Sequence, residues 1–430
     1  MAFALNNAEA QEKKLLTLKE AIQIAITNSD AATLSKVKVE TSTLELDNTK
    51  NNSYPSLTAS GQYLRLSSAK IDSNIQSNKS TSGEPSKPLK ADQLLLGQVN
   101  ASLPVFSGLK QRNNIKAHES LLESEKLTEK HSREQIGLLV VELFSSLYKT
   151  EQMTLLIEDN LKTAGQRVKD FTAMEENGLI ARNDLLKAQL QVSNIQLALE
   201  NSKKNTAVSN YKLITLLKLP ADTMVEIDIE AIKKEMNEAQ KELSGERNDL
   251  KALVFKKSAS ESAVKIAKGN YYPSIALSAG YIALDINNVL TVTNAMNFGL
   301  GFSYDIASIF KNGKQVKLAQ SKAKETEIAI NLLQNEINED QFQAKENYAL
   351  SLKQSLVYEK AVEQATENYR IVKDKYDNSL SDTNDLLEAD FEALQAKINQ
   401  ALSKADIAQR YYELQFANGT LTSSLNITQN

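Results

Sequence analysis

The chain has 430 residues, 41% hydrophobic and 24% charged, with 54 acidic side chains against 50 basic ones. That much apolar material is enough to fold, so the chain is not of the disordered class; a formal net charge of -4, with acids and bases interleaved, leaves no basic face for nucleic acid. It has no cysteine, which excludes thiol catalysis, a disulfide framework, cysteine-ligated zinc and a lipidated N-terminal cysteine.

In chain order, MAFALNNAEAQEKK comes first. It lacks a basic n-region and its only apolar stretch is AFAL, so it does not read as a complete signal peptide; a remnant around a cleavage site and an expression start both stay open. No later apolar run reaches the ~18 residues of a membrane-spanning helix. Breakers then set the elements, because proline costs roughly 3 kcal/mol inside a helix and the long proline-free stretches are free to be helical. The six prolines are Pro55, Pro85, Pro88, Pro104, Pro220 and Pro273.

A first repeat is expected over 17–220. Thr17-Leu18-Lys19-Glu20 fits a capping box, followed by Ala21, Ile22, Ala25 and Ile26 on one helical face. That helix is expected to run to about Asn52, where Tyr54-Pro55 stops it. Two strand candidates follow, about 55–66 and 93–106, joined by the polar, low-complexity stretch 67–92. A long helix over 108–177 would reach roughly 100 Å at ~1.5 Å per residue. Ile136, Val140, Leu143, Leu147, Thr150, Thr154, Ile157, Leu161, Ala164, Val168 and Phe171 fall on it at alternating steps of four and three, a heptad seam weakened by its two threonines. A returning helix spans 182–219.

An inter-repeat segment, 221–245, holds a short apolar alternation (Met224, Val225, Ile227, Ile229) and then a charged helix-like piece. The second repeat, 246–418, has a helix to about 270, strands near 273–284 and 296–306, and the connector 286–294 between them. Its long helix covers 312–378, starting near Asn312-Gly313, and its returning helix covers 382–417, stopped at Asn418-Gly419. A polar tail, 419–430, ends the chain.

The chain therefore reads as an internal duplication. SYPSLTASGQYLRL at 53–66 is echoed by YYPSIALSAGYIAL at 271–284, and the turns NGLIARNDLL at 177–186 and NSLSDTNDLL at 378–387 match, both closing on Asn-Asp-Leu-Leu. Pro55 and Pro273 mark where a helix gives way to a strand in each half. Each strand is 10–14 residues, close to the ~9–11 of a tilted membrane strand. In the last, Phe298, Leu300, Phe302, Tyr304 and Ile306 oppose Asn297, Gly299, Gly301, Ser303 and Asp305. A small soluble β-domain would show a similar alternation. Four strands alone leave two open edges, which lipid does not tolerate, whereas several copies could close a barrel.

In these features the chain resembles the TolC family of outer-membrane efflux and secretion channels. The resemblance rests on LTLKEAIQIAITNSD at the start, the two Tyr-Pro-Ser segments, LPVFSGLKQRNNIKAHESL and the paired turns, and it covers nearly the whole sequence. It implies a mainly α fold with a β part: coiled-coil-like helices forming a trimeric α-helical barrel, and four strands per chain of a shared 12-stranded outer-membrane β-barrel. It implies a homotrimer in the outer membrane of a Gram-negative bacterium, with most of its mass in the periplasm and its barrel in outer-membrane lipid. This passive duct would meet a periplasmic adaptor (membrane fusion) protein and an inner-membrane transporter of the RND, ABC or MFS type. It would serve a tripartite efflux pump or type I secretion system carrying small molecules or polypeptides. No enzyme activity and no cofactor are implied.

The resemblance also implies a periplasmic aperture at the helical turns, lined by acids. The matching positions are Asp385 and Glu388, which share a helix face at a spacing of three; the first repeat has Asp184 with Lys187. The turn tips are Gly178 and Ser379, the latter standing where the family commonly has glycine. As plain helix-terminal residues, these acids would simply complement the helix dipole. His118 and His131, thirteen apart, are too distant to share a metal and read as exposed helix residues. No phosphate loop, GxSxG or HExxH occurs. The alternative is a soluble or periplasmic coiled-coil scaffold or adaptor with a small β-domain. The duplicated strand pairs argue against it, since a scaffold has no need of apolar alternations at matching points.

Overall fold

The structure is a computed structural model that describes residues 13–71, 89–229, 232, 234, 236, 245–287 and 289–427. The elements in order are β1 (Lys13–Leu16), α1 (Leu18–Asn28), α2 (Asp30–Asn51), β2 (Ser56–Ile71), β3 (Leu89–Ser107), α3 (Lys110–Glu176), α4 (Arg182–Leu217), β4 (Met224–Ile227), α5 (Asn248–Gly269), β5 (Ser274–Ile286), β6 (Leu290–Ser303), α6 (Ser308–Asp377), α7 (Thr383–Ala417) and α8 (Leu421–Ser424). The segments Glu40–Ser124 and Leu253–Ala329 form one compact unit, and the segments flanking them form another.

In the flanking unit, Thr17 caps α1 as expected: its Oγ1 accepts from Glu20 N at 3.2 Å, and Glu20 Oε2 accepts from Thr17 N at 3.1 Å. The single helix expected from Thr17 to Asn52 is two. Ser29 takes extended backbone (φ -65°, ψ 151°), and its hydroxyl accepts from Ala32 N at 3.2 Å. A serine side chain that satisfies a free amide in this way starts a new helix.

β1 and β4 pair in parallel. Four residues, Lys-Lys-Leu-Leu, are too few to show a period, so β1 was not legible as a strand. Asn210 of α4 fastens the pair: its side chain donates to Thr223 O at 2.9 Å and accepts from Val225 N at 3.0 Å. The core packs around Ile22, Val140, Phe144, Leu147, Leu213 and Tyr412. None of the eleven seam positions on α3 is exposed. Of its two threonines, Thr154 makes polar links to α4, its Oγ1 at 2.7 Å from Ser202 Oγ and 3.1 Å from Thr206 Oγ1, while the Thr150 hydroxyl donates back to Ser146 O and Leu147 O within α3.

The expected polar tail is corrected over its described part. Leu421 and Leu425 are buried in the same core, at 0% and 4% exposure. The Thr422 N–H donates to Glu134 at 3.2 Å, and the Thr422 hydroxyl donates to the same carboxylate. Two leucines spaced by four in an otherwise polar stretch were too weak a signal.

The other unit holds an antiparallel sheet in the order β2-β3-β5-β6. Proline at 55 and 273 directly precedes β2 and β5; the last helical turns close just before it, with Tyr54 N bonded to Asn51 O and Tyr272 N to Gly269 O. The strands depart from expectation at their ends. β2 runs on to Ile71 and β3 begins at Leu89, while 72–88 of the expected connector lies outside the described residues. β6 begins at Leu290, because a bulge at Asn294 (φ 60°) carries the pairing past an irregular point; pairing runs Ile282↔Ala295, then Leu284↔Val292. It ends at Ser303, which leaves Tyr304 and Ile306 outside the strand. Finally, α6 starts at Ser308, before the expected Asn312-Gly313: Asn312 is buried inside the helix and donates Nδ2 to Ala267 O at 2.7 Å.

Register separates the two sheet faces. Leu57, Ala101, Ala279 and Phe298 form one row across the four strands, with Leu103, Leu277 and Leu300 in the next row on the same face. The opposite face carries Thr58, Asn100, Gly280 and Asn297 in one row and Ser56, Ser102, Ser278 and Gly299 in another.

Candidate functional site

The two helical hairpins α3–α4 and α6–α7 end in the same turn. In the first, Gly178 N bonds to Glu175 O at 2.9 Å and Leu179 N to Met174 O at 2.8 Å. In the second, Ser379 N bonds to Tyr376 O at 2.9 Å and Leu380 N to Lys375 O at 2.8 Å. Both are Schellman closures, which need a residue in the left-handed region. Gly178 (φ 69°) adopts it without a side chain to clash, whereas Ser379 (φ 61°) holds it at a steric cost. The substitution of serine for glycine therefore leaves the turn geometry intact.

Beyond the turns the hairpins differ. α7 is capped by Asp382, whose carboxylate accepts from Asn384 N at 2.7 Å and Asp385 N at 3.1 Å; Ala181 at the start of α4 makes no side-chain cap. Asp385 is exposed and accepts from Ser381 Oγ at 2.7 Å. Glu388, one turn on, is exposed too, so the two carboxylates lie along one face of α7. Asp184 is half-buried and stands 3.8 Å from the Lys187 ammonium. The structure thus gives Asp184 a local cation and sets Asp385 and Glu388 together.

A link between the hairpins was missed. Arg167 of α3 and Asp390 of α7 pair at 3.0 Å with each side chain only 8% exposed. Arg167 also donates to Tyr369 Oη of α6 at 3.2 Å and to Gln191 of α4 at 3.4 Å, so one guanidinium ties all four helices. Burial works against its charge, but the Asp390 and Tyr369 oxygens outweigh that and raise its pKa above the ordinary value. Tyr369, which accepts from Arg167, packs against the apolar cluster of Phe171, Leu185, Ala188 and Leu386, and Tyr376 stacks on Phe171 at 5.6 Å. The available signal was Asp390 itself, a charge on the stripe Leu386, Ala389, Ala393.

The histidines are not exposed as expected. Both are half-buried, and His131 Nε2 lies 3.8 Å from Asp249. Burial lowers its pKa against the pull of Asp249. Among the described residues no group of acids and histidines could hold a metal ion.

On the sheet, β2 and β6 have a free edge each among the described residues. The apolar face is open, with Phe298 at 92% and Met296 at 79% exposure. Among the described residues no helix is long and apolar enough to cross a membrane.

Residues 240–420 match the family model described as outer membrane efflux protein. The fold matches solved outer-membrane proteins over most of the chain. The CmeC outer membrane channel of Campylobacter jejuni superposes with a TM-score of 0.77 at 17% identity, covering 94% of this chain and 86% of that one. The outer membrane protein VceC of Vibrio cholerae gives 0.74 at 16% identity, covering 95% of both chains. The MtrE outer membrane channel of Neisseria gonorrhoeae, in its open state, gives 0.73 at 15% identity, covering 94% and 88%. No curated protein matches the sequence. The second half of the chain thus matches the outer membrane efflux protein family, and the fold of nearly the whole chain is that of solved outer-membrane channels.

Proposed function

We propose that the chain is one third of a passive homotrimeric duct that takes cargo from a periplasmic adaptor and an inner-membrane transporter across the periplasm and outer membrane. The observation that carries this is the sheet: four strands, one apolar face open to solvent, and two free edges. Unpaired backbone groups are not tolerated in hydrocarbon, so the edges must be closed by other copies, and three copies supply twelve strands. A tripartite efflux pump and a type I secretion system both fit, with small molecules or polypeptides as cargo.

The hairpin ends are the gate in this reading. Asp385 and Glu388 in three copies make a ring of six carboxylates, with Asp184 and Lys187 alternating beside it. Such a ring favours cations and can be bridged by a divalent ion. Gly178 and Ser379 set the turns that present it, and Arg167 with Asp390 holds each hairpin pair together. The test is single-channel conductance of the purified protein in planar bilayers. Asp385→Asn with Glu388→Gln should reduce cation selectivity and weaken block by divalent ions. Unchanged selectivity and block in that variant would remove these residues from the gate.

A further inference from the structure

The polarity of the sheet faces reverses along the strands. The face that carries Thr58, Asn100 and Asn297 becomes apolar toward the β5–β6 turn. One registered row there is Leu64, Leu94, Ile286 and Leu290; the adjacent row sets Leu96, Leu284 and Val292 beside Gln62. Neither row contains a charge. The other face turns polar over the same length, first on β5 and β6, where Asp285 and Thr291 stand in a row with Tyr63 and Leu95, and then on β2 and β3, where Arg65 pairs with Gln93.

Height and direction follow. On the outward face of β5 the apolar and small positions run from Ile275 to Ala283. At ~3.4 Å per residue and a tilt near 40°, that is roughly 20–25 Å of height, about the apolar band of an outer-membrane barrel. Asp285 and Thr291 then stand beyond the hydrocarbon. The face with Thr58, Asn100 and Asn297 cannot face lipid, so it lines the lumen. A Cβ on Gly280 would come within 2.5 Å of Asn297 Oδ1 and 3.0 Å of Asn100 Oδ1, so the two amides converge over it, as on a concave wall. The apolar rows continue that wall into the mouth.

We propose that these rows form an apolar belt inside the outer mouth of the duct, a transient binding surface for apolar or amphiphilic solutes on their way out. This rests on the channel reading above. Water gains little from such a wall, whereas an apolar solute laid on it removes both surfaces from water.

The test uses wild-type protein in planar bilayers and tetraalkylammonium ions added on the mouth side. Charge is constant across that series, so attraction to acidic rings is held fixed while apolar surface and ion size grow together, and the asparagine variants separate the two. Block dwell time should lengthen by about tenfold or more from tetramethyl- to tetrabutylammonium. Leu94→Asn with Leu284→Asn and Ile286→Asn should keep the conductance and lose most of that dependence. The half-exposed Leu290→Asn is the milder variant should the triple one not assemble, and it should lose part. Dwell times independent of alkyl length in the wild type, or unchanged in a normally conducting variant, would overturn the belt and leave the channel standing. No conductance in the wild type would overturn the channel and the belt with it.

Discussion

Replacing Arg167 with methionine isolates the link between the two hairpins. The substitution keeps the side-chain length and removes the charge. Asp390, 8% exposed, loses its 3.0 Å partner, and Tyr369 and Gln191 each lose a donor at 3.2 and 3.4 Å. Asn160 Nδ2, at 3.5 Å, is the partner that remains to Asp390. Breaking a buried pair from one side costs about 3–5 kcal/mol, because the stranded charge keeps its desolvation penalty. At 1.36 kcal/mol per tenfold, hydrogen exchange of amides near 167 and 390 should speed up by roughly a hundredfold or more. Adding Asp390→Leu removes the stranded charge and should restore most of the protection, since an apolar pair of similar volume is often neutral in such a site. Exchange unchanged in Arg167→Met, or no recovery in the double variant, would refute the reasoning.

Other perturbations follow from particular contacts. Ser379→Gly should stabilise the second turn by about 1 kcal/mol, and Gly178→Ala should destabilise the first by a similar amount; local exchange at 177–181 and 378–382 reads both. Leu421→Ala should cost about 2–5 kcal/mol in urea unfolding, because the side chain is fully buried against Ile22 and Gly137. Burial raises the Glu134 carboxyl above its usual value, and the Thr422 donors offset only part of this. A folded pKa above the unfolded one gives stability that is complete below the ordinary glutamate range and is lost as pH rises through the raised value. After correction for intrinsic rates, α8 amides should therefore be better protected near pH 4 than at pH 8, and Glu134→Gln should flatten the profile; protection that grows with pH would contradict the assignment.

The sequence carried the features that repeat over many residues. The α3 seam, the paired turns and the strand alternation each sum small preferences over ten or more positions, and the Thr17 box is a local rule with a direct hydrogen-bond cause. What escaped depends on single side chains or on pairing. The break at Ser29 turns on one hydroxyl, and the start of β6 on a bulge that keeps facing residues in register through a non-periodic stretch. β1 exists only because β4 is there to receive it. The Arg167–Asp390 pair joins residues more than two hundred apart, and no local pattern announces such a contact. At the hairpin ends the acids and turns were legible, because capping and spacing are local; Asp382 as the cap of α7 was visible in type and missed in role.

The central claim is that three chains close one twelve-stranded barrel, and the native mass of the detergent-extracted membrane-fraction protein tests it most directly. After correction for bound detergent, the account predicts about three times 47.6 kDa. A monomer or dimer that stays in solution without detergent would contradict it.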